Sequence, residues 1–416
     1  MKRRIKQMNY LTNTEPNKLY VISDTHLLAK ELQDEGPAFQ RMRDTSAGKD
    51  LDYPGLALIA FVRKILQEKP TAVVITGDLT FNGEKLSAEK LATIFAPLEK
   101  AGIYFFVIPG NHDIYDGWAR KFRNDKSFYT EQISTQEWKQ IFTTSYQHAA
   151  SIDGLSYSIN FSKKYRLVFA DSNIYGERES LTHPITNGKL SNNQLKWIKK
   201  EFKQAKNNHQ HVLLFMHHNL YDHNEIIKGG FTLDNAPDLR RLCQKYQVAV
   251  AFSGHIHAQN IIRGNDECDT PEVASSGFSM SDQGYGVIEL TPNAVEYQRY
   301  SFDMVPFLAD REKALLPKQD FHEYLHDIFY QTNQKQMAWL KKKISNQAEY
   351  ERILNFIDRL NWNYFIGKSN YSSKDKSKII SSPEYQLVKA KLPEMKNYLD
   401  SLLAVDQDSQ HLRVEL

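Results

Sequence analysis

The chain alternates between short, uninterrupted apolar runs and longer segments in which apolar residues recur at helical spacing. Apolar runs rich in β-branched and aromatic residues are typical of strands that are covered on both faces. Such runs predict strands at Lys18–Ser23, Ala72–Thr76, Ile103–Ile108, Leu155–Asn160, Arg166–Ala170, His211–Met216 and Val248–Ser253. Helical periodicity predicts helices at Gly55–Gln67, Ala88–Lys100, Thr135–Thr143 and Asn192–Lys206. This alternation predicts a layered α/β fold.

The pattern changes twice towards the end of the chain. Three further runs predict antiparallel strands: Glu272–Ser275, Gly286–Leu290 and Val295–Phe302. Beyond Pro306 only helical segments are predicted, at Asp310–Tyr330, Lys335–Lys343, Ala348–Asn361, Pro383–Lys391 and Glu394–Ala404. We therefore predict an α/β domain over residues 18–305 and an all-helical C-terminal domain over residues 306–416. The dense aromatic side chains of the second domain are expected to pack it against the first.

One connecting segment is unusually long. Residues 27–54 lie between the first strand and the first helix and contain no clear element. Connections of this length are usually functional or disordered. Because the segment starts at a polar motif, we expect it to form the rim or lid of a site. Asp34, Arg41 and Arg43 are its candidate substrate contacts.

Composition and charge exclude several classes of protein. The chain has 416 residues, of which 41% are hydrophobic and 25% charged, as in ordinary globular proteins. A net charge of +3 gives no case for a nucleic-acid partner. Two cysteines, Cys243 and Cys268, cannot build a disulfide framework and are expected to be reduced and buried.

The start of the chain bears on its location. Met1–Lys6 is basic, but the residues that follow it are polar, so no signal peptide is predicted. No stretch approaches the roughly 20 apolar residues of a membrane-spanning helix. These features favour a cytoplasmic protein. A secreted or anchored precursor whose leader had been removed would give the same pattern, so that alternative stays open.

Polar residues with metal-binding side chains follow the predicted strands. Five motifs occur in order: Asp24-Thr25-His26, Gly77-Asp78, Gly110-Asn111-His112-Asp113, His217-His218 and Gly254-His255-Ile256-His257. Carboxylate and amide oxygens and imidazole nitrogens are the donors that divalent metals of the manganese, iron and zinc kind accept. A carboxylate such as that of Asp78 has two oxygens and can bridge two ions. The five motifs together favour a two-metal hydrolase.

The order of these motifs resembles that of the calcineurin-like metallophosphoesterase superfamily, over about residues 18–302. The resemblance implies a four-layer αββα sandwich that binds two divalent metal ions, either manganese, iron or zinc, at its strand ends. It assigns one metal to Asp24, His26, Asp78 and His257, and the other to Asp78, Asn111, His217 and His255. It also implies that a hydroxide formed from metal-activated water attacks phosphorus, while His112 assists the leaving group.

The motifs also bear on the substrate. Protein phosphatases of the superfamily carry arginines in the second and third motifs, and this chain has none there. A monoester dianion gains more from such a clamp than a singly charged diester does. The pattern most resembles bacterial class III cyclic nucleotide phosphodiesterases with an added helical domain. We therefore expect a small phosphodiester substrate, with a 3′,5′-cyclic nucleotide as the leading candidate.

Substrate contacts are expected from Asn111, His112 and His218, with a position behind the ligands as the alternative for His218. Asp113 is assigned either to substrate or to hydrogen bonds behind the ligands. Three alternatives remain: a nuclease, a glycerophosphodiester hydrolase of the same superfamily, and an inactive scaffold. A nuclease should show a basic channel, and a scaffold should have lost ligands, whereas this chain keeps every expected one. The oligomeric state is left open.

Overall fold

A computed structural model describes residues 9–416, so the basic segment Met1–Lys6 lies outside the described residues. The strands are β1 (Asn17–Ile22), β2 (Ala72–Ile75), β3 (Tyr104–Val107), β4 (Arg120–Arg123), β5 (Lys126–Tyr129), β6 (Ser151–Asp153), β7 (Ser156–Asn160), β8 (Tyr165–Phe169), β9 (His211–Phe215), β10 (Val250–Ser253), β11 (Asn260–Ile262), β12 (Glu272–Ala274), β13 (Gly284–Leu290), β14 (Ala294–Ser301) and β15 (His411–Glu415).

The α-helices are α1 (Pro37–Thr45), α2 (Pro54–Glu68), α3 (Lys85–Lys100), α4 (Thr135–Ile141), α5 (Thr143–Tyr146), α6 (Asn192–Asn207), α7 (Ala236–Tyr246), α8 (Asp310–Lys313), α9 (Phe321–Gln336), α10 (Gln347–Phe365), α11 (Ser373–Ser381), α12 (Pro383–Lys391) and α13 (Pro393–Leu403). Short 3₁₀ helices occur at Lys30–Leu32, Val305–Phe307 and Ala338–Lys342. Of the helices in residues 9–416, none is long and apolar enough to cross a lipid bilayer.

Two mixed sheets form the centre of the molecule. One has six strands in the order β15-β14-β13-β1-β2-β3, and the other has seven in the order β11-β12-β10-β9-β8-β7-β6. β1, β2 and β3 run parallel in the first sheet, and β8, β9, β10 and β12 run parallel in the second. The carboxyl ends of parallel strands are where open α/β sheets place their sites.

Side-chain alternation along β1 shows how the layers are built. Leu19 and Val21 point between the two sheets and pack with Phe252 of the second sheet. Tyr20 and Ile22 point outwards and pack against α2 and α3. Helices α6 and α7 cover the outer face of the other sheet. The structure confirms the predicted αββα sandwich, and it explains the continuous apolar runs, since both faces of these strands are buried.

The predicted strands and helices of the α/β part are present, most with ends shifted by one or two residues. The predicted helix Thr135–Thr143 is divided at Phe142 into α4 and α5. The sequence missed the β4–β5 hairpin, whose strands are largely exposed and carry no apolar alternation. It also missed β6 and β11, of three residues each, and α7. Both cysteines are buried, as expected.

The segment over residues 27–54 is a correction to the sequence prediction, because it contains a 3₁₀ turn and the nine-residue helix α1. Pro37 at the first turn suits a helix start, since its missing N–H is not needed there. Phe39 of α1 is fully buried and lies with its ring 5.7 Å from that of Phe122 in β4. The segment is thus fastened to the β4–β5 hairpin.

The three charged residues proposed as substrate contacts have partners elsewhere. The Asp34 carboxylate accepts a main-chain N–H of the β4–β5 turn at 2.6 Å, and Arg41 donates to a carbonyl of the same turn at 2.6 Å. Arg43 forms an ion pair with Asp52 at 3.0 Å. These groups hold the segment in place, and the structure gives no support for the substrate role expected of them.

The C-terminal segment is helical, as predicted, apart from its last residues. One predicted helix is interrupted near Pro317 and forms α8 and α9, and α11 was not predicted. The prediction of an all-helical domain is wrong at the end of the chain, where β15 pairs with β14 and sets Leu412 opposite Tyr297. Five residues with two apolar positions carry too little pattern to be recognised as a strand. The boundary at residue 306 stays a proposal.

The C-terminal segment packs on the α/β body, as its aromatic content predicts. Phe321 of α9 enters the core beneath α2. In the other direction, Ile256, Ala258 and Ala274 of the body join the apolar cluster formed by α10, α12 and α13. Ile256 and Ala258 flank His257, so the helices support the region that carries the last polar motif.

Deleting residues 306–416 should cause aggregation. The deletion uncovers Ile256, Ala258 and Ala274 and leaves β14 as an open sheet edge. Size-exclusion chromatography measures this outcome. Deletion of residues 411–416 alone is the matched control, because it opens the edge but keeps the helices. A truncated protein that stays soluble and monomeric, with unchanged activity on small and bulky diesters, would contradict the expectation. A gain on bulky diesters alone would identify the segment as a lid.

Candidate metal centre

Four residues from three of the polar motifs form a first cluster: Asp24, His26, Asp78 and His257, whose potential ligand atoms all lie within 4.8 Å of one another. Nε2 of His257 is 3.1 Å from Oδ1 of Asp24 and 3.2 Å from Nε2 of His26. Nε2 of His26 is 3.8 Å from Oδ2 of Asp78. Asp24, His26 and Asp78 are buried.

A second cluster shares Asp78 with the first and adds His217 and His255, again with the donor atoms within 4.8 Å. Nε2 of His217 is 3.4 Å from Oδ1 of Asp78 and 3.2 Å from Oδ1 of Asn111. Oδ1 of Asp78 therefore faces one cluster while Oδ2 faces the other. The structure brings together every residue that the sequence assigned to metal binding, and it puts Asp78 at the junction.

The turns that carry these side chains have unusual backbone. Positive φ angles occur at Asp24 (53°), His26 (41°), Asp78 (49°), His255 (68°) and His257 (56°). Residues with a Cβ rarely adopt this left-handed conformation. Hydrogen bonds hold the first two turns side by side, since the His26 N–H donates to the Asp78 carbonyl at 3.0 Å. Left-handed residues also occur elsewhere in the chain, but the five at this site all carry metal-binding side chains, and strain at such residues points to function.

Two glycines are needed for this convergence. Gly77 has a φ of 105°, and a Cβ built there would lie 2.3 Å from Nδ1 of His217. A Cβ at Gly110 would lie 2.2 Å from Oδ1 of Asp78. Any larger residue at either position would displace a donor of the second cluster.

Main-chain carbonyls orient two of the imidazole rings. Nδ1 of His217 donates to the Thr76 carbonyl at 2.8 Å, and Nε2 of His255 donates to the Gly230 carbonyl at 3.1 Å. These partners leave Nε2 of His217 and Nδ1 of His255 as lone-pair donors towards the cluster. Such supporting bonds fix both the tautomer and the ring direction of metal-binding histidines.

The protonation states of Asp78 and His255 suit a cation. Burial opposes ionisation of Asp78, but His217, His112 and His26 outweigh it and hold the pKa of this carboxyl well below its usual value. Burial and the neighbouring His217 lower the pKa of His255 to about 3. The carboxylate is therefore charged and this imidazole neutral at pH 7, which are the forms that bind metals. Burial opposes the charge of His217, but the Asp78 carboxylate outweighs burial and raises the pKa of the His217 imidazole to about 9, so a metal would have to displace a proton there.

The donor set also fits two divalent ions chemically. Oδ1 of Asp24 is buried and accepts no hydrogen bond from residues 9–416. The ring nitrogens of His26 and His257 face each other beside two carboxylates. A cation satisfies such converging acceptors, whereas buried carboxylates alone are costly. The two clusters indicate a dinuclear site for divalent metals, and the donor types are compatible with manganese, iron or zinc.

His112 lies beside the clusters with its ring centroid 5.7 Å from that of His26. Nδ1 of His112 is 3.0 Å from Oδ2 of Asp116, which is buried. Within residues 9–416, Nε2 of this ring forms no hydrogen bond. Asp116 was missed in the sequence, although its spacing of four residues after His112 could have signalled a supporting carboxylate.

His218 is a correction. It was expected to contact substrate, but it is fully buried, and its two ring nitrogens lie 2.8 Å from Oγ of Ser172 and 2.9 Å from the Thr186 carbonyl. Gly188 allows this burial, because a Cβ there would lie 2.3 Å from the His218 ring. The ring packs behind His255, 4.4 Å away between centroids. Its role is therefore to support the second cluster.

Asp113 has an equally clear structural position. Its carboxylate is buried and accepts hydrogen bonds from Gly110 N–H at 2.8 Å, Leu79 N–H at 3.1 Å and Thr80 N–H at 2.9 Å. The Thr80 hydroxyl donates a further bond at 2.7 Å. Of the two alternatives for Asp113, hydrogen bonding behind the ligands is the one observed. The carboxylate ties the second and third motifs together.

Lys49 is a residue near the centre that the sequence did not single out. It comes from the segment over residues 27–54 and is partly buried. Burial lowers the pKa of its ammonium group, and the carboxylates of Asp78 and Asp24 oppose this shift. The next residue, Asp50, donates its N–H to the Ser279 carbonyl at 2.8 Å, and Ser279 in turn donates to the carbonyl of Asp24. The backbone around Lys49 is thus tied to the turn of Asp24, and its ammonium group feels the charges of Asp24 and Asp78.

The purified protein should bind close to two divalent metal ions per chain after reconstitution with manganese, because the two clusters are separate but share Asp78. Loss of a group that only supports a metal ligand lowers metal affinity by about 10- to 100-fold. Asp78→Ala should lower it by more, because it removes a donor from both clusters. His257→Ala is the comparison, since it removes a donor from the first cluster alone. Elemental analysis measures the stoichiometry, and a value near zero for the reconstituted protein would contradict the assignment.

Comparison with known proteins extends over most of the chain. The sequence profile described as calcineurin-like phosphoesterase matches residues 18–259. A second profile, described as the C-terminal domain of cyclic nucleotide phosphodiesterase, matches residues 315–410. Both matches lie where the resemblance of the motifs predicts them.

Individual relatives are distant. A "Probable cyclic nucleotide phosphodiesterase" from Ruthia magnifica is 25% identical over 197 residues, which are 47% of this chain and 66% of the relative. A "Probable glycerophosphodiester phosphodiesterase GpdQ" from Arcobacter nitrofigilis is 26% identical over 201 residues, or 46% of this chain and 58% of the relative. The matches thus span less than two thirds of either relative.

Among solved structures, a dimetal phosphatase from Danio rerio has a TM-score of 0.52 and 15% sequence identity, covering 68% of this chain and 96% of that chain. This likeness shows the fold. The profile match over residues 18–259 confirms the resemblance stated from the motifs, and the chain belongs to the calcineurin-like phosphoesterase family.

Proposed function

We propose that this protein is a metal-dependent hydrolase of small phosphodiesters, with a 3′,5′-cyclic nucleotide as its preferred substrate. The observation that carries the proposal is the pair of donor clusters joined by Asp78, with His112 and Asp116 beside them. Family membership supports the reaction class. The match of residues 315–410 to the C-terminal domain of cyclic nucleotide phosphodiesterase supports the substrate.

The proposed ligand sets are those assigned from the sequence. Asp24, His26, Asp78 and His257 would hold one metal, and Asp78, Asn111, His217 and His255 the other. When bound, such a pair supplies a water of lowered pKa and offsets the negative charge of the phosphoryl oxygens. Asp78 would contribute a carboxylate oxygen to each ligand set, while the carbonyls of Thr76 and Gly230 keep two rings directed inwards.

His112 is proposed as the general acid. Asp116 accepts a hydrogen bond from Nδ1–H of His112, which leaves the other nitrogen, Nε2, without a hydrogen bond to residues 9–416. A protonated His112 can then donate from Nε2 to the leaving alkoxide oxygen. The Asp116 carboxylate stabilises the positive charge of the ring in this state. Asp116 acts through His112 and is therefore a positioning residue.

Lys49 supports a diester over a monoester. It offers the site one ammonium group, a flexible point charge on a four-carbon stem. The arginines that clamp a monoester dianion bind two of its oxygens at once, and Lys49 cannot reproduce that geometry. A single positive charge matches the single negative charge of a diester. The charges of Asp24 and Asp78 act on Lys49, so we propose that its ammonium group attracts the phosphate to the same site.

Glycerophosphodiester hydrolysis is the second candidate. The relative named as a glycerophosphodiester phosphodiesterase is as similar in sequence as the one named for cyclic nucleotides. The two activities need the same two-cluster centre and differ in the group attached to phosphorus. Turnover of adenosine 3′,5′-cyclic phosphate and of glycerophosphoglycerol by the same preparation distinguishes them.

The wild-type protein should prefer diesters. Values of kcat/KM for bis(p-nitrophenyl) phosphate and p-nitrophenyl phosphate compare a diester and a monoester with the same leaving group. We expect kcat/KM to be at least about tenfold higher for the diester. A monoester dianion needs an arginine clamp that this site does not have, and about tenfold is the scale of one charge-assisted hydrogen bond. A clear preference for the monoester would place the protein in another branch of its family.

His112→Ala should keep both metals and lose about 100- to 10,000-fold in kcat on a diester with a poor leaving group. The loss should shrink with p-nitrophenolate, because this leaving group needs little protonation. Asp116→Asn should cause a smaller loss with the same dependence, since it weakens only the orientation of the ring. Equal losses for good and poor leaving groups would indicate an electrostatic role instead, and loss of metal would assign His112 to the ligands.

A further inference from the structure

An exposed tryptophan stands directly outside the proposed general acid. Trp118 is 49% exposed, although large aromatic side chains are usually covered. Its ring centroid is 6.4 Å from that of His112, with 33° between the ring planes. His112 in turn lies 5.7 Å from His26, so the three rings lead from the first metal cluster to the surface. Trp118 therefore borders the mouth of the site.

One carboxylate positions both His112 and Trp118. Oδ2 of Asp116 lies 3.0 Å from Nδ1 of His112, while Oδ1 accepts the main-chain N–H of Trp118 at 2.8 Å. The bond to Trp118 uses its backbone and not its side chain. Substitution of the indole therefore leaves the support of His112 intact, which allows the two functions to be tested separately.

A second loop completes the exposed face. The ring of His183 lies 6.1 Å from that of Trp118, and Leu181 and Ile185 of the same loop are exposed. The two loops are in close contact, because a Cβ at Gly117 would lie 2.2 Å from the carbonyl of Thr182. The loop over residues 181–185 is also tied inwards, since the Thr186 carbonyl lies 2.9 Å from Nε2 of His218.

We propose that Trp118, with His183 and the apolar side chains of residues 181–185, forms a subsite that stacks against the nucleobase of the substrate. This inference rests on the proposed function and names the part of the substrate that the metal centre does not recognise. The metal clusters and Lys49 recognise the negative charge of the phosphate. They make no contact that would recognise the planar base. An exposed indole beside a phosphate site is suited to stack on a flat, weakly polar group, and the base of a nucleotide is such a group. Stacking accepts any base, so the subsite selects nucleotides over other diesters without distinguishing one base from another.

Equilibrium binding tests the subsite without any turnover. Isothermal titration with adenosine 5′-monophosphate and with ribose 5-phosphate compares ligands that differ by the base alone. The metal-loaded wild-type protein should bind the nucleotide roughly 5- to 100-fold more tightly, which is the range that base–aromatic stacking provides. In Trp118→Ala this ratio should fall towards one while the affinity for ribose 5-phosphate is unchanged. Equal affinities in the wild type would overturn the proposal.

Kinetics give an independent readout. Trp118→Ala should raise KM for adenosine 3′,5′-cyclic phosphate by a factor in the same rough 5- to 100-fold range and leave kcat nearly unchanged, because stacking binds ground state and transition state alike. Glycerophosphoglycerol, which has no base, should be hydrolysed equally by both proteins. Equal losses on both substrates would overturn the proposal and indicate a structural role for the side chain.

Two variants serve as controls. Trp118→Phe keeps an aromatic face and should restore most of the nucleotide affinity. Trp339→Ala removes another tryptophan that is 40% exposed, in the C-terminal segment, and should change neither ligand. Failure of the subsite and failure of the proposed function are separable. A wild-type protein that hydrolyses glycerophosphoglycerol but does not distinguish the two phosphates keeps the phosphodiesterase and loses the subsite. A protein that distinguishes the two phosphates but cleaves no diester keeps the subsite and loses the phosphodiesterase.

Discussion

Two buried carboxylates, those of Asp24 and Asp78, set the constraint on which this structure depends. Ionised groups are expensive to remove from water unless they are paired and hydrogen-bonded. Part of the compensation is built into the backbone: the His112 N–H donates to Asp78 at 2.9 Å and the His255 N–H to Asp24 at 3.2 Å. Imidazole rings and divalent cations supply the rest. The acids can be held in place because parallel strands of two packed sheets end at the same edge.

The convergence of the donors is costly for the backbone. Left-handed residues other than glycine cost on the order of 1–3 kcal/mol each and persist only where the surroundings determine them. Here the surroundings are an apolar layer on each face of both sheets and hydrogen bonds between neighbouring turns. Asp113, which ties Gly110 to Leu79, and His218, which packs behind His255, belong to the same support. The stability of the sandwich thus maintains a strained but preorganised centre.

Local pattern predicted the layered α/β fold and the metal-binding motifs, and the resemblance of those motifs to a known family implied the sandwich. Continuous apolar runs marked strands such as β1 and β9, and the motifs stood at their ends. Asp116 was overlooked although it lies only four residues after His112, whereas Lys49 and β15 depend on contacts distant in sequence and left no pattern to recognise. His218 was misassigned for the same reason, since its burial depends on Gly188, thirty residues earlier. Left-handed angles at aspartate and histidine were equally hidden, because only a few per cent of residues other than glycine adopt them and no local pattern marks which ones do.

The metal-binding residues and the residues around the mouth of the site are therefore held in place by different parts of the fold. The metal-binding side chains follow strand ends, so their positions tolerate little change. The mouth of the site is formed by separate loops, over residues 116–118 and 181–185. Asp116 joins the metal centre to the mouth of the site, because one of its oxygens faces His112 and the other accepts the N–H of Trp118. A change in the loop over residues 116–118 can thus alter proton transfer through Asp116 or substrate binding through the indole. Since the side chains are distinct, evolution could change the group that is recognised next to phosphorus without disturbing the chemistry at phosphorus itself.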